Sequence, residues 1–276
     1  MEKIAIITSS KDPAGINAGK NLADNFNFEK TNELFDGNLV YRLNLENKIV
    51  SLYLINEELI YAENLDARID ADLFIFASRH SSKENKPSFA VHAIGNWNKA
   101  DIGGKESTLC FSSAILIKKL FLELNKNAKE TNYEITLEAT HHGPFLQKPA
   151  VFVEVGSTEK EWADNVNGQI LAKTIIDSLN NKIPECKIAV GLGGPHYCNN
   201  FNKIVLRTNI AISHICPKFH LQNLDSDFVK QSIEKTLEKI DFIILDWKGL
   251  GSHKQKILGI LESLGVKFER ADRLMK

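Results

Sequence analysis

Four of the eight histidines in this chain fall directly after short apolar runs that read as β-strands: His80, His141, His142 and His196. Imidazole titrates nearest to neutrality, so each is a candidate general base or, when neutral, a metal ligand. His80 stands in Arg79-His80-Ser81-Ser82 after LFIFAS. His141 and His142 open His141-His142-Gly143-Pro144, and His196 lies in Gly193-Gly194-Pro195-His196-Tyr197 after KIAVG. Glu154 lies inside the apolar run AVFVEV, where a carboxylate has to be paired, metal-bound or protonated. A histidine–carboxylate cluster of this kind suits activation of water, by a histidine general base or by a bound Zn²⁺ that keeps one position open. The structural alternatives stay open: a lone histidine after a strand is commonly a hydrogen-bonded surface residue, and Glu154 also fits a buried ion pair. His92, in PSFAVHAIGNW, reads equally as a satisfied core histidine. On extended backbone His141 and His142 would point opposite ways, so one is expected in the site and the other beside it. His214 and His220 read as structural, and His253 as a helix start.

The elements that must position these residues alternate in kind. Strands are expected at 3–8, 38–43, 49–54, 73–78, 133–140, 150–155, 187–191, 205–212 and 242–246, several of them continuous apolar runs that suggest burial on both faces. The stretch 133–140 alternates instead, with Glu134, Thr136 and Glu138 on one face, as an edge or half-exposed strand would. Helices are expected at 15–27, 106–125, from a Thr158/Glu161 capping box to about 179, at 227–239, and at 253–264 with Gly265 closing the last. Strands separated by helices predict an α/β fold around a mixed, largely parallel sheet, with ligands beyond the carboxyl ends of the strands.

Composition and motifs narrow the classes. At 276 residues and 31.0 kDa, one α/β domain over 1–276 is expected. Lys and Arg total 34 against 35 Asp and Glu, a net charge of −1, which excludes a protein that coats nucleic acid through bulk positive charge. There is no long apolar run and no leader-like N-terminus, and Cys110, Cys186, Cys198 and Cys216 show no CxxC spacing, so a cytosolic chain with small buried thiols is expected. No P-loop, GxGxxG, GxSxG or HExxH motif is present. Ser157 after Val-Gly looks like a nucleophile but reads better as a helix cap, and the glycines at 193 and 194 as close backbone approach to a substrate.

Taken together, the blocks SRHSS, PSFAVHAIGNW, EATHHGP, FVEVGSTEKEW and GLGGPHY, in this order and with the opening strand and SSKDPAG before them, resemble the archaeal and plant type of D-aminoacyl-tRNA deacylase. The resemblance implies a phosphorylase/hydrolase-like three-layer fold related to peptidyl-tRNA hydrolases, a zinc-associated monomer, and hydrolysis of the ester joining a D-amino acid to the 3′ ribose of tRNA. Within the matching blocks, His80, His142, Glu154 and His196 are assigned on their chemistry as the expected catalytic residues. His142, Glu154 and His196 are the expected zinc ligands. Arg79, His92, Asn96, His141, Gly193, Gly194 and Tyr197 are the expected substrate contacts. His80 or Arg79 would stabilise the oxyanion. The expected partner is the acceptor end of D-aminoacyl-tRNA, in the cytoplasm, with neither DNA nor membrane involved. The rival readings are a zinc amidase or peptidyl-tRNA hydrolase cutting an amide, and a non-catalytic RNA-binding protein; against the last, no RNP-type aromatic motif or GXXG loop appears where an RNA module would put it. Counted by segment, residues 248–276 hold seven basic and three acidic residues, 201–220 three and none, and 79–105 five and two. Such segments are either solvated faces or guides for one tRNA end.

Overall fold

The computed structural model describes residues 1–275, so Lys276 of the basic C-terminal segment lies outside the described residues. Twelve strands run β1 (Glu2–Ser9), β2 (Glu29–Phe35), β3 (Asn38–Leu45), β4 (Lys48–Ile55), β5 (Leu73–Arg79), β6 (Ser88–Ala93), β7 (Glu134–Leu137), β8 (Ala150–Gly156), β9 (Lys187–Leu192), β10 (Ile210–Cys216), β11 (Phe242–Leu245) and β12 (Phe268–Arg270). The α-helices are α1 (Pro13–Asn25), α2 (Leu65–Arg68), α3 (Ala114–Asn127), α4 (Glu159–Ala163), α5 (Asn165–Asn180), α6 (Asn199–Arg207), α7 (Ser226–Glu234), α8 (Lys254–Ser263) and α9 (Ala271–Leu274). None of the described helices is long and apolar enough to cross a membrane.

The α/β expectation holds, with one correction: the strands form two sheets rather than one. The larger has the order β2-β3-β4-β1-β5-β8-β6-β7, and the smaller β10-β9-β11-β12. In the large sheet β1 pairs in parallel with β4 and β5, β5 with β8 and β6 with β7, while β2–β3, β3–β4 and β6–β8 are antiparallel. The small sheet is parallel throughout. One core cluster takes Ile4, Val91 and Val153 from the large sheet, Leu120 and Leu171 from helices, and Ile212 and Ile244 from the small sheet. A second core, with Phe74, Phe76, Phe152 and Leu146, lies on the opposite face of the large sheet.

Local chemistry explains where the elements begin. Asp12 caps α1 by accepting from Gly15 N, with Pro13 at the first helical position. Thr158 and Glu161 form the expected capping box, but the helix after it breaks at Asp164, whose carboxylate caps α5. Ser157 is therefore not the cap; its hydroxyl donates to Lys86 O. The helix expected from residue 106 starts only at Ala114, capped by Ser113. The strand expected at 205–212 begins at Ile210, because Phe201, Ile204 and Val205 form the buried stripe of α6. Strands β2, β6 and β12 were not expected. Of the four cysteines, three are buried and Cys186 is half-buried, and all are free.

The two sheets are joined by the chain leaving β7. Glu138 N donates to Val91 O of β6, Ala139 N to His196 O and Thr140 N to Ile215 O of β10. Lys118 of α3, buried, adds a second tie: its Nζ donates to Val205 O, Thr208 O and Ile210 O at 2.8, 2.6 and 3.1 Å.

Candidate active site

The floor of the site is laid down by register. Phe76, Phe152 and His92 lie abreast on β5, β8 and β6, and Ser78, Glu154 and Ala90 form the next row on the same face. Phe76 and Phe152 stack at 4.7 Å, and His92 stacks on Phe152 at 5.3 Å. Glu154 thus projects from an apolar platform, opposite the small side chain of Ala90. Its Oε1 accepts from Ser78 Oγ at 2.8 Å.

Around this floor five imidazoles converge. The rings of His92, His141 and His142 lie 4.1 to 4.9 Å apart, and His196 is 4.7 Å from His141. Both members of the His141-His142 pair enter the site, against the expectation from extended backbone. The reason is local: His142 has φ +44°, in the left-handed region, which turns its ring to the same side as its neighbour's. His80 completes the ring. Its Nδ1 lies 3.3 Å from Glu138 Oε1 and 3.4 Å from Glu154 Oε2, and its Nε2 is 3.4 Å from the Tyr197 hydroxyl. The His80 backbone is clamped, its N donating to Val155 O and its O accepting from Trp162 Nε1.

Glu138 is the residue the sequence reading missed. It was assigned to the solvent face of an edge strand, yet its side chain is fully buried, since the second sheet and His196 cover that edge. His141 Nε2 and His196 Nε2 each lie 3.7 Å from it. Neither of its oxygens has a hydrogen-bond partner in proper alignment, and the same is true of His92 Nε2. The signal that could have found it was the block EATHHGP itself, which puts a carboxylate three residues before a histidine pair.

A cavity of about 490 Å³ opens onto the centre, lined among others by Lys11, Arg79, His80, His141, His142, Glu154, His196 and Tyr197, with Leu59, Ile60 and Ile102 as an apolar wall. Arg79 lies over the Trp162 ring and 3.7 Å from Glu58. Four expected contacts do not line the cavity, and one of them, His92, is fully buried beneath the other imidazoles. Asn96 Nδ2 donates to Gly103 O and Lys105 O and braces a loop. Gly193 and Gly194 do not line the cavity; both have positive φ, and a Cβ on Gly194 would fall 2.9 Å from Asp246 Oδ2. The expected ligand set His142, Glu154 and His196 is not brought together as one. The sets whose donor atoms lie within 4.8 Å of one another are His92–His141–His142, Glu138–His141–His196 and His80–Glu138–Glu154.

The electrostatics divide these groups. Burial, helped by the charge of His92, keeps His142 and His196 neutral, with pKa values pushed down to about 4, and holds His141 well below the usual range. Burial also opposes charge on His80, but the hydrogen bond to Glu154 and the charges of Glu138 and Glu154 outweigh it and carry His80 up to about 9. For Glu154 burial is overcome by the neighbouring imidazoles of His80 and His92, 3.4 and 3.8 Å away, so it is held well below the carboxylate range. Burial raises Glu138 to about 7 even against the charge of His80. His92 is raised, Glu154 prevailing over burial.

A histidine–carboxylate centre at a sheet seam, with neutral and charged imidazoles side by side, is a site whose chemistry suits activation of water in an α/β hydrolase. The family profile for D-aminoacyl-tRNA deacylase matches residues 67–269. Proteins named D-aminoacyl-tRNA deacylase from Thermococcus onnurineus (40% identical, 96% of this chain and 98% of the relative) and Archaeoglobus fulgidus (33%, 98% and 97%) are similar over nearly their whole length. A crystal structure described as a conserved protein of unknown function superposes with a TM-score of 0.89 at 31% identity, covering 99% of this chain and 96% of that one. The chain belongs to the D-aminoacyl-tRNA deacylase family.

Proposed function

We propose that this chain hydrolyses the ester of D-aminoacyl-tRNA, releasing a free D-amino acid and tRNA. The observation that carries the reading is the pairing of neutral imidazoles with a charged one in a single cavity, which supplies a base and an acid at the same pH. His196, neutral and partly exposed, takes the proton of the attacking water. His80, held as the imidazolium between Glu138 and Glu154, faces the carbonyl oxygen as negative charge develops and then protonates the departing ribose oxygen. A positioned donor of this kind typically contributes about 3 kcal/mol. Glu138 and Glu154 hold the His80 proton and do not themselves touch the substrate.

The donor set also fits a zinc ion. His92, His141 and His142 each present Nδ1 to a backbone carbonyl, Ala93 O, Ala139 O and Gly143 O, at 3.1, 2.8 and 2.6 Å. A carbonyl only accepts, so Nδ1 carries the hydrogen and each Nε2 is left as the donor atom, the tautomer that metal-binding histidines use. His92 Nε2 has no other partner, and the Glu154 field that favours a proton there favours a cation equally. Bound to these three nitrogens, Zn²⁺ would act as a Lewis acid and lower the pKa of a water. We extend the proposal to a monomeric, cytoplasmic, single-domain enzyme taking the acceptor end of tRNA, with a three-layer phosphorylase/hydrolase-like fold related to peptidyl-tRNA hydrolases.

The test is parallel assay of D-Tyr-tRNA, L-Tyr-tRNA and N-acetyl-Tyr-tRNA with the wild-type chain and with His196→Ala and His80→Ala. Release of D-tyrosine fastest in the wild type, and loss of two or more orders of magnitude in both variants, is expected. Faster cleavage of the N-acyl substrate, or wild-type rates in both variants, would overturn the reading.

A further inference from the structure

Beyond the carboxyl ends of β9, β10 and β11, three loops interlock beside the active site. Gly193 N donates to Cys216 O at 2.8 Å and Lys218 N to Gly194 O at 2.9 Å. Gly194 leaves no room for a side chain against Asp246 at the end of β11. The first loop, 193–197, carries His196 and Tyr197 into the catalytic cavity. Summing chain lengths and that hydrogen bond places the backbone of Phe219 at most about 17 Å from that of His196, two to three nucleotides of single strand.

We infer that the outer surface of these loops, Lys218 and Phe219 with Trp247 and Lys248, is the docking shelf for the unpaired 3′ end of the tRNA; this rests on the deacylase reading above. Phe219 is 52% exposed, an apolar ring with no core to fill. Lys218 and Lys248 are exposed, and among the described residues neither forms an ion pair. Of the two carboxylates on the three loops, Asp246 is buried and turned inward to Asn200 Nδ2 and Gly249 N, and Asp225, at the far end of the second loop, caps α7. Trp247 lies half-buried beneath Lys254 and Arg270, at 5.2 and 4.6 Å from its ring. An exposed aromatic ring beside unpaired lysines suits single-stranded nucleic acid, whose bases stack while its phosphates are neutralised. The basic segment 79–105 is a weaker candidate, since Arg79 meets Glu58, Lys86 pairs with Glu84 and Lys105 covers the Phe145 ring.

The shelf is tested on the full-length protein with uncharged tRNA, intact or lacking its 3′-terminal CCA, followed by fluorescence anisotropy. Phe219→Ala should weaken binding of intact tRNA by about tenfold and leave truncated tRNA unaffected, while Phe219→Trp restores affinity because it restores stacking. Lys218→Ala with Lys248→Ala should reduce the slope of log K against log salt by about 1.4, or 0.7 per single-strand phosphate contact. In deacylation the same variants raise KM and leave kcat as it was. Wild-type affinity in Phe219→Ala, or an equal loss on both tRNAs, overturns the shelf. Binding of uncharged tRNA needs no turnover. A chain that lost tRNA affinity in these variants but never released D-tyrosine would therefore refute the deacylase reading and leave the shelf intact.

Discussion

Replacing Glu138 by Gln keeps the shape of the side chain and removes the charge that faces three imidazoles. His80 Nδ1 is nearest, at 3.3 Å. At an effective dielectric constant near 20, a unit charge pair at that separation is worth roughly 5 kcal/mol. Desolvation of the carboxylate offsets part of this, and breaking a buried pair at one partner costs about 3–5 kcal/mol in practice. If the lower figure falls on the charged state of His80, about two decades are lost from a value of about 9, so the imidazolium needed at the leaving oxygen, and kcat with it, drops by roughly 30-fold at about pH 8.5, where the comparison is made. Single-turnover release of D-tyrosine with enzyme in excess reads the chemical step directly. Affinity for uncharged tRNA and the far-ultraviolet spectrum should be as in the wild type, because Glu138 lies behind the cavity wall. A folded variant with a rate within threefold of wild type would show that Glu138 does not hold the His80 proton.

His214 is fully buried between Thr140 Oγ1 and Lys235 O, and burial pushes its pKa down to about 4. Its unfolded value is near 6.5, so the unfolded chain takes up the proton first. The stabilisation is whole above that value and is lost as pH falls toward 4, roughly 3 kcal/mol in all. Urea titrations of wild type and His214→Gln should converge over that window, and parallel curves would refute the assignment. Gly156→Ala places a Cβ 2.3 Å from His80 O and must displace it, so activity should fall about a hundredfold. Gly259→Ala, in open space on α8, should instead stabilise by about 0.5–1 kcal/mol in a thermal melt. Lys118→Met leaves three buried carbonyls without their donor and should lower stability by roughly 3 kcal/mol or more in urea. Dialysis against a chelator should abolish deacylation, and stoichiometric Zn²⁺ should restore it, with metal content followed by plasma emission. Full activity in the metal-free protein would leave His196 as base without zinc.

Most strands lining the site were legible because their two buried faces give continuous apolar runs, as in LFIFAS and AVFVEV. Strand β2, EKTNELF, was not, since it packs little and reads as polar chain. The strand ends held histidines, and the rings of His80, His141, His142 and His196 line one cavity. Two things escaped. Alternation along 133–140 correctly separated two faces, but nothing local says that the polar face of an edge strand is covered by a second sheet. The paired histidines looked incompatible because a left-handed φ at His142 is a property of the fold around it rather than of the dipeptide. The sets of donor atoms that lie together differ from the expected one for the same reason: they depend on which ring turns which way.

The seam between the sheets has a consequence for how the enzyme would fail. The large sheet carries His80, His92 and Glu154, and the loop above β9 carries His196 and Tyr197, with the backbone from Glu138 to His142 between them. Neither half contains a working centre. Separation of the sheets by a few ångströms would leave every strand and helix formed and the active centre dismantled. Turnover is thus a more sensitive gauge of docking than any spectrum of secondary structure. In rising denaturant, activity should disappear at a lower concentration than helical signal.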